Sequence, residues 1–528
     1  MNRESRFNSV THYLFLVAML AIAFVNGESA TATLTTAFDP DLYRDIGQAY
    51  SIYYGHWFAD PQLIGEQQWY NPLTAALIAG ISHLIGLEPA ITYVRAGAYL
   101  GLLAPAAFYL FLRVTVNQGV ALVGVAAFIF LASADPQVPY PASYSPWLHS
   151  WNLAQVFFYL ALSSLFLFTR RCSIPLLVST GLLWGLTFLA HFYPALLLGA
   201  IATVCCALGK LRLRHLLSMA ALAFVVGLPF TWTILFHYHM AVVNTLVVEW
   251  VYEDIKHLLP YLQLYINWQL PLVIAGAWML IKRRSEAGTA IVGIWSLIAI
   301  TSVLYTSFWH DARDMGLYWP PLTFSIHASF YFSAVLSTLF ALGTVSALHY
   351  LTSKVKIPWK VSIEAVVVTL ILILYLPSYS TRAAFTEWPV FARYNENFFR
   401  STGFTRWINE NTDGQQVFLA RPIQSLSMVI PHGRKVVAGP ALWANPYVDM
   451  NKRLQDQEAM FEALAIRDWA TFFQLAEQYQ VDYLLLLGEE SGDLPAEKFK
   501  LSLQHPELSI YALQWPPASQ YGTVEILQ

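Results

Sequence analysis

The sequence predicts a polytopic α-helical membrane protein: about eleven transmembrane helices and a small C-terminal extracytoplasmic α/β domain. Three observations lead there. First, the chain of 528 residues is 56% hydrophobic and only 12% charged, where a soluble chain would carry roughly 25% charge. Second, long apolar runs recur from His12 onward. Third, from about residue 380 charges become frequent and the apolar runs shorten. This composition excludes a soluble enzyme, a disordered chain and a disulfide scaffold. A net charge of −3 offers no basic surface to nucleic acid. Cys172, Cys205 and Cys206 lie in or beside apolar runs and read as small hydrophobes.

The first run, His12–Asn26, follows Arg3 and Arg6, which hold the N-terminus in the cytoplasm. Ser29, Ala30 and Ala32 would suit signal-peptide cleavage, but ahead of so many spans a signal anchor is expected. Further runs lie near Tyr93–Leu112, Gly119–Ser133, Leu153–Phe168, Ile174–Ala190, Tyr193–Leu208, Leu216–Phe236, Leu264–Ile281, Ala287–Tyr305, His327–Leu348 and Val361–Leu376. The run Pro72–Leu87 decides the parity. If it does not cross, Arg113, Arg170–Arg171, Lys210/Arg212/Arg214, Lys282/Arg283/Arg284 and Lys354/Lys356/Lys360 all fall inside, as the positive-inside rule favours. Pro72–Leu87 is therefore expected to be interfacial or half-inserted. The C-terminus falls outside, and no internal repeat marks an inverted-repeat transporter.

The expected domains are residues 1–379, transmembrane, with a first outer loop at 28–92, and residues 380–528, extracytoplasmic. In the tail Gln416–Ala420, Lys435–Ala438 and Asp482–Leu487 read as short strands. Met450–Ile466 and Asp468–Gln478 read as helices from their apolar spacing, with Asp449 or Asn451 as an N-cap.

Chemistry concentrates in the first outer loop, Ala37-Phe-Asp39-Pro-Asp41-Leu-Tyr43-Arg44-Asp45. Two carboxylates two apart can share a metal or divide general-base and electrostatic roles, and Asp-Pro-Asp is also ordinary turn chemistry. Leu42–Tyr54 reads as an interfacial helix carrying Tyr43, Tyr50, Tyr53 and Tyr54; such aromatics suit a lipid-linked ligand or simple anchoring. Gly55-His-Trp57 and Trp69-Tyr-Asn-Pro-Leu73 follow, and Arg95 starts the next span.

This order of elements resembles the GT-C glycosyltransferase superfamily, which includes protein O-mannosyltransferases, lipid A aminoarabinose transferases and oligosaccharyltransferase catalytic subunits. Phe38-Asp39-Pro40 with Tyr43-Arg44 is similar to the oligosaccharyltransferase form. The resemblance covers roughly Met1–Leu208. It implies transfer of a sugar from a polyprenyl-phosphate carrier to an extracytoplasmic glycan, lipid or protein acceptor. Asp39 would be general base or metal ligand and Asp41 its helper. The chain carries no Gly-x-Gly-x-x-Gly or P-loop, as a lipid donor requires no nucleotide site. The resemblance also implies a bacterial inner-membrane protein and leaves a divalent metal ion as an open cofactor.

Relatives usually place a second acidic residue before the fourth span. Here Tyr140–Asn152 has none, so Asp135 or His149 substitutes, or no metal is bound. Without a metal an arginine must neutralise the leaving phosphate, and Arg44, Arg95 and Arg313 fall on the outer face. His191 sits at membrane depth as a functional candidate or a helix-turn cap. Glu249, Glu253 and Asp254 read as a solvated helix face or a binding edge. His310 and Arg313, between Trp309 and Trp319, read as a phosphate or sugar clamp or an interfacial anchor. The rival functions are a non-catalytic GT-C-fold assembly or binding subunit, and a lipid or glycan transporter.

Overall fold

The computed structural model describes residues 3–131, 143–244, 257–263, 267–317, 325–355, 362–488 and 494–515. Among these, seven helices are long and apolar enough to cross a membrane: Val10–Thr31, Pro89–Thr115, Ser150–Arg171, Leu213–His237, Ala287–Asp314, Ile326–Lys354 and Ile363–Ser380. Five shorter apolar helices join them: Leu73–Ile85, Gln118–Leu131, Ile174–Ala190, Phe192–Ala207 and Leu270–Lys282. The chain is an integral membrane protein. Asp135, Glu249, Glu253, Asp254 and Trp319 lie outside the described residues.

The first ten helices are α1 (Arg3–Thr31), α2 (Pro40–Tyr53), α3 (Leu73–Ile85), α4 (Pro89–Leu100), α5 (Leu103–Thr115), α6 (Gln118–Ala126), α7 (Ser150–Arg171), α8 (Ile174–Ala190), α9 (Phe192–Ala207) and α10 (Leu213–Trp232). Irregular turns have local causes. Pro229 removes a backbone donor within α10, and a π-turn follows at Thr233–His237. α6 ends in a π-turn at Ala127–Leu131. Arg382 donates from Nη1 to the Ile129 carbonyl at 3.0 Å and from Nη2 to that of Phe130 at 2.9 Å. A buried helix end is thereby satisfied by a side chain from the distant end of the membrane unit.

Helices in hydrocarbon gain little from excluding water, so association rests on close packing. Leu270–Lys282 and Ser325–Val355 pack along each other through small residues. A Cβ on Gly276 would lie 1.8 Å from the Leu339 carbonyl oxygen, and one on Gly343 1.9 Å from that of Leu272.

Among the described residues, the five strands lie beyond the last long apolar helix. They form one mixed sheet in the order β2-β1-β3-β5-β4. β1 (Val417–Leu419) pairs parallel with β2 (Lys435–Val436) and with β3 (Val481–Leu487). β4 (Phe499–His505) and β5 (Leu508–Leu513) add an antiparallel hairpin. Helices Met450–Ile466 and Trp469–Gln478 cover one face, closed by Met460, Phe472, Phe473 and Phe499. Asp449 and Asp468 cap them by accepting from the backbone N–H of Lys452 and Thr471.

The other face shares a core with α2, α3 and α4. Leu42, Ile46, Ile78 and Val94 pack in the same cluster as Phe418, Leu426, Ile430 and Leu485. Polar stitches cross this seam. Buried Asp60 accepts from the N–H of Gln62 and Leu63 with one oxygen and from Asn445 Nδ2 at 2.9 Å with the other. Lys435 donates to the Asp60 carbonyl, and Val436 N–H to the Gln62 carbonyl at 2.8 Å. α2, expected as an interfacial helix, is packed between α3 and α4 on one side and the C-terminal part on the other. Tyr43 and Tyr50 are buried, while Tyr54 is exposed.

Gly276→Ala should lower stability by about 1–3 kcal/mol through overpacking, despite alanine's better helix propensity. Denaturant titration of the detergent-solubilised protein measures this; unchanged stability would contradict the tight crossing.

Candidate active site

Local sequence dictates the site's first element. Pro40 takes the first turn of α2, where its missing N–H is harmless, and Asp39 is the N-cap, its Oδ1 accepting from Asp41 N–H at 2.9 Å. Helical spacing then sets Arg44 beside Asp41, three residues earlier, with a 2.9 Å ion pair. Arg44 also donates from Nε and Nη2 to one oxygen of Asp45, at 2.9 and 2.8 Å. The second Asp45 oxygen accepts from Tyr93 at 3.2 Å. The guanidinium carbon lies 3.6 Å above the Tyr70 ring centre, and the Tyr70 hydroxyl pairs with Ser150 at 3.1 Å. Arg44 and Asp45 are buried, whereas the Asp41 side chain is 30% exposed. Burial raises the Asp41 and Asp45 carboxyls, Asp45 to about 6, while Arg44 opposes the rise.

Three imidazoles complete the surroundings. His149, just before α7, stacks on Trp151 at 4.2 Å. Trp151 approaches His327 at 5.9 Å, and His327 meets His191 edge-on at 4.6 Å. Arg44 is within electrostatic range of all three. His191 is the extended cap residue between α8 and α9, its N–H bonded to the Thr187 carbonyl, and its side chain makes no cap hydrogen bond. Its Nδ1 is buried without a hydrogen-bond partner, as are both amide atoms of Asn152 and the indole nitrogen of Trp69. Buried unsatisfied groups gathered beside a charge are unusual in a finished core and suit a polar ligand.

An apolar groove of about 410 Å³ runs along α8, α9 and α10, lined by Trp184, Phe188, Phe192, Gly199, Phe224 and Gly227 among others. Phe188 and Phe192 flank His191 in sequence, and Asn71 donates to the Phe188 carbonyl at 2.6 Å.

The structure brings Asp39, Asp41, Arg44, His149 and His191 together. Tyr43 instead turns toward the C-terminal part, where Asn395 donates to its hydroxyl at 2.7 Å. Arg95 donates to the Leu34 carbonyl at 3.1 Å. His310 packs on His257 at 4.1 Å, in a separate cluster at the end of the helix Ala287–Asp314 that also carries Arg313. Asp45, Tyr70, Asn152 and His327 were not singled out by sequence. Asp45 adjoins Arg44 and was within reach of the spacing argument; His327 looked like the first residue of an apolar span.

Arg44 holds Asp41 and Asp45, and Asp39 caps its helix through Oδ1; Asp135, the other candidate ligand for a divalent ion, lies outside the described residues. Among the described residues, the one group of three His, Cys, Asp or Glu ligand atoms within 4.8 Å of one another lies elsewhere, at His257, His310 and Asp314. The cation among these carboxylates is the protein's own guanidinium.

Two outcomes follow. Burial pushes His149 down to about 3, with Asp41 pulling less strongly upward. An unfolded histidine binds its proton near 6.5, so between these values the unfolded chain holds more protons. Stability contributed by neutral His149 is thus lost as pH falls below about 6.5, by at most ~1.4 kcal/mol per unit. Thermal unfolding in detergent should drop between pH 7 and pH 5, and the slope should be shallower in His149→Asn. A like slope comes from His432, held down to about 4 by burial. Second, Asn152→Leu should leave stability unchanged or raise it, since the lost amide has no partner to strand. A destabilisation above ~1 kcal/mol would show the amide to be satisfied.

No protein-family model and no curated protein sequence matches the chain. Solved structures do. ArnT from Cupriavidus metallidurans, bound to undecaprenyl phosphate, is 13% identical with a TM-score of 0.55, covering 95% of this chain and 97% of that one. The Archaeoglobus fulgidus oligosaccharyltransferase in complex with Zn and sulfate is 14% identical with a TM-score of 0.53, covering 88% of this chain and 67% of that one. Arabinofuranosyltransferase AftD from Mycobacteria is 13% identical with a TM-score of 0.50, over 95% of this chain and 40% of that one. At such identities the likeness is one of fold, and the chain shares the GT-C fold of these membrane proteins.

Proposed function

We propose that this chain is an inverting membrane glycosyltransferase that moves a sugar from a polyprenyl-phosphate carrier to an extracytoplasmic acceptor. The observation that carries the reading is Arg44. It is a buried guanidinium flanked by carboxylates and imidazoles, one of which, His191, is bracketed in sequence by Phe188 and Phe192 of an apolar groove. A polyprenyl phosphate presents that chemistry: an anionic head on an apolar tail. The groove takes the tail. Arg44 faces the phosphate and opposes the charge that grows on it during departure. The solved relatives bound to undecaprenyl phosphate or to dolichol phosphate support the same donor class.

The reaction needs one displacement. Asp39 takes the proton of the acceptor hydroxyl, whose oxygen attacks the anomeric carbon. The bond from that carbon to the phosphate oxygen breaks, and the electron pair leaves with polyprenyl phosphate. One attack opposite the leaving group inverts the centre. Asp41 and Asp45 hold Arg44 in place, and Tyr70 supports its face. The positive-inside pattern puts this loop and residues 380–528 on the outer surface, as in a bacterial inner membrane.

Asparagine caps a helix as well as aspartate does, so Asp39→Asn removes the base while α2 survives. A strain lacking the gene should lose a sugar-sized mass from its surface glycolipids or glycoproteins. Wild type should restore it, and Asp39→Asn should restore it ~10²–10⁴-fold more slowly. Arg44→Lys loses the fork and should cost at least ~10²-fold. Full restoration by Asp39→Asn would refute the base assignment and favour a binding subunit.

A further inference from the structure

His257, His310, Asp311 and Asp314 form a second polar cluster that the reaction above does not use. His310 and Asp314 stand four apart on the helix Ala287–Asp314, so they share a face. His257 arrives from the segment before the short helix Leu258–Gln263. One ligand atom from each of His257, His310 and Asp314 lies within 4.8 Å of the other two. Asp311 adds an independent observation. Its Oδ1 is 2.7 Å from His257 Nδ1, and its Oδ2 accepts from the Leu258 N–H at 3.1 Å. A carboxylate on one ring nitrogen fixes the tautomer and leaves Nε2 as the lone pair, the arrangement metal-binding histidines use. His310 Nδ1 is buried and has no hydrogen-bond partner.

We propose that His257, His310 and Asp314 bind a divalent ion of the zinc class, with Asp311 as the positioning carboxylate for His257. Two imidazoles and one carboxylate match zinc's preference for nitrogen and oxygen donors in tetrahedral array. The fourth position falls to water or an anionic ligand. The ion ties the segment around His257 to the end of the helix Ala287–Asp314, joining parts of the chain more than fifty residues apart.

The test uses the full chain, purified in detergent through a tag free of histidine. It is incubated with zinc sulfate, desalted and assayed for metal by plasma mass spectrometry. Wild type should retain about one zinc per chain, and zinc should raise its thermal midpoint over that in EDTA. His310→Ala and Asp314→Asn should each lose both effects while matching wild type in EDTA. Asp311→Asn should weaken zinc binding ~10–100-fold without abolishing it. If His310→Ala fails to fold, Asp314→Asn, at an exposed position, decides alone. Wild type that retains no zinc and shows no thermal shift overturns the proposal. So does Asp314→Asn that binds zinc like wild type.

Discussion

The pairing of Arg44 with Asp41 and Asp45 is the interaction on which the rest depends. A guanidinium cannot shed its proton, so burying it requires partners. Asp41 and Asp45 supply charge, Tyr70 supplies a π-face, and Tyr93 and Ser150 fasten those partners in turn. These six residues come from α2, the stretch after it, α4 and the start of α7. One cation thus fixes four segments relative to one another. Removing one partner of a buried pair typically costs ~3–5 kcal/mol, so the same contact serves geometry and stability.

Beside that pairing lies the seam, where α2 is roofed by the C-terminal part. Gly47 meets Ile430 so closely that a Cβ would sit 2.7 Å from an Ile430 methyl. Phe38 is held between Trp147 and Trp388, at 4.8 and 5.1 Å. The soluble-looking tail covers the apolar side of α2, and the short chain after α2 is stitched into its sheet edge through Asp60, Gln62 and Lys435.

Much of this was legible in the sequence, for physical reasons. Apolar length locates the membrane helices, and the helix read at Leu42–Tyr54 starts two residues earlier, at Pro40, with Asp39 as its cap. β1, β2 and β3 showed as short apolar bursts. β4 and β5 did not, although Phe499, Leu501 and Leu503 alternate as a strand should; their partly exposed faces dilute the signal. The site divided in the same way. Asp39 and Asp41 stand out through the first outer loop's context and the family resemblance. Tyr70, Asn152 and His327 do not, since their role comes from packing between distant helices. The helix expected at Leu42–Tyr54 is present as Pro40–Tyr53, but its packing against the C-terminal part depends on residues far away in sequence, which a local reading does not name.

The seam has a consequence for biosynthesis. Tyr43 waits for Asn395, and Asp60 for Lys435 and Asn445, separations of 352, 375 and 385 residues. A chain made from its N-terminus inserts α1 and delivers α2 long before those partners exist. Contacts of such range form late and slowly. Until the last strands are complete, Leu42, Ile46 and Tyr50 have no roof. The nascent protein therefore spends most of its synthesis inserted but incomplete, in need of protection at that loop. A stop codon between Ser380 and β1 yields a chain with its membrane helices and an uncovered α2.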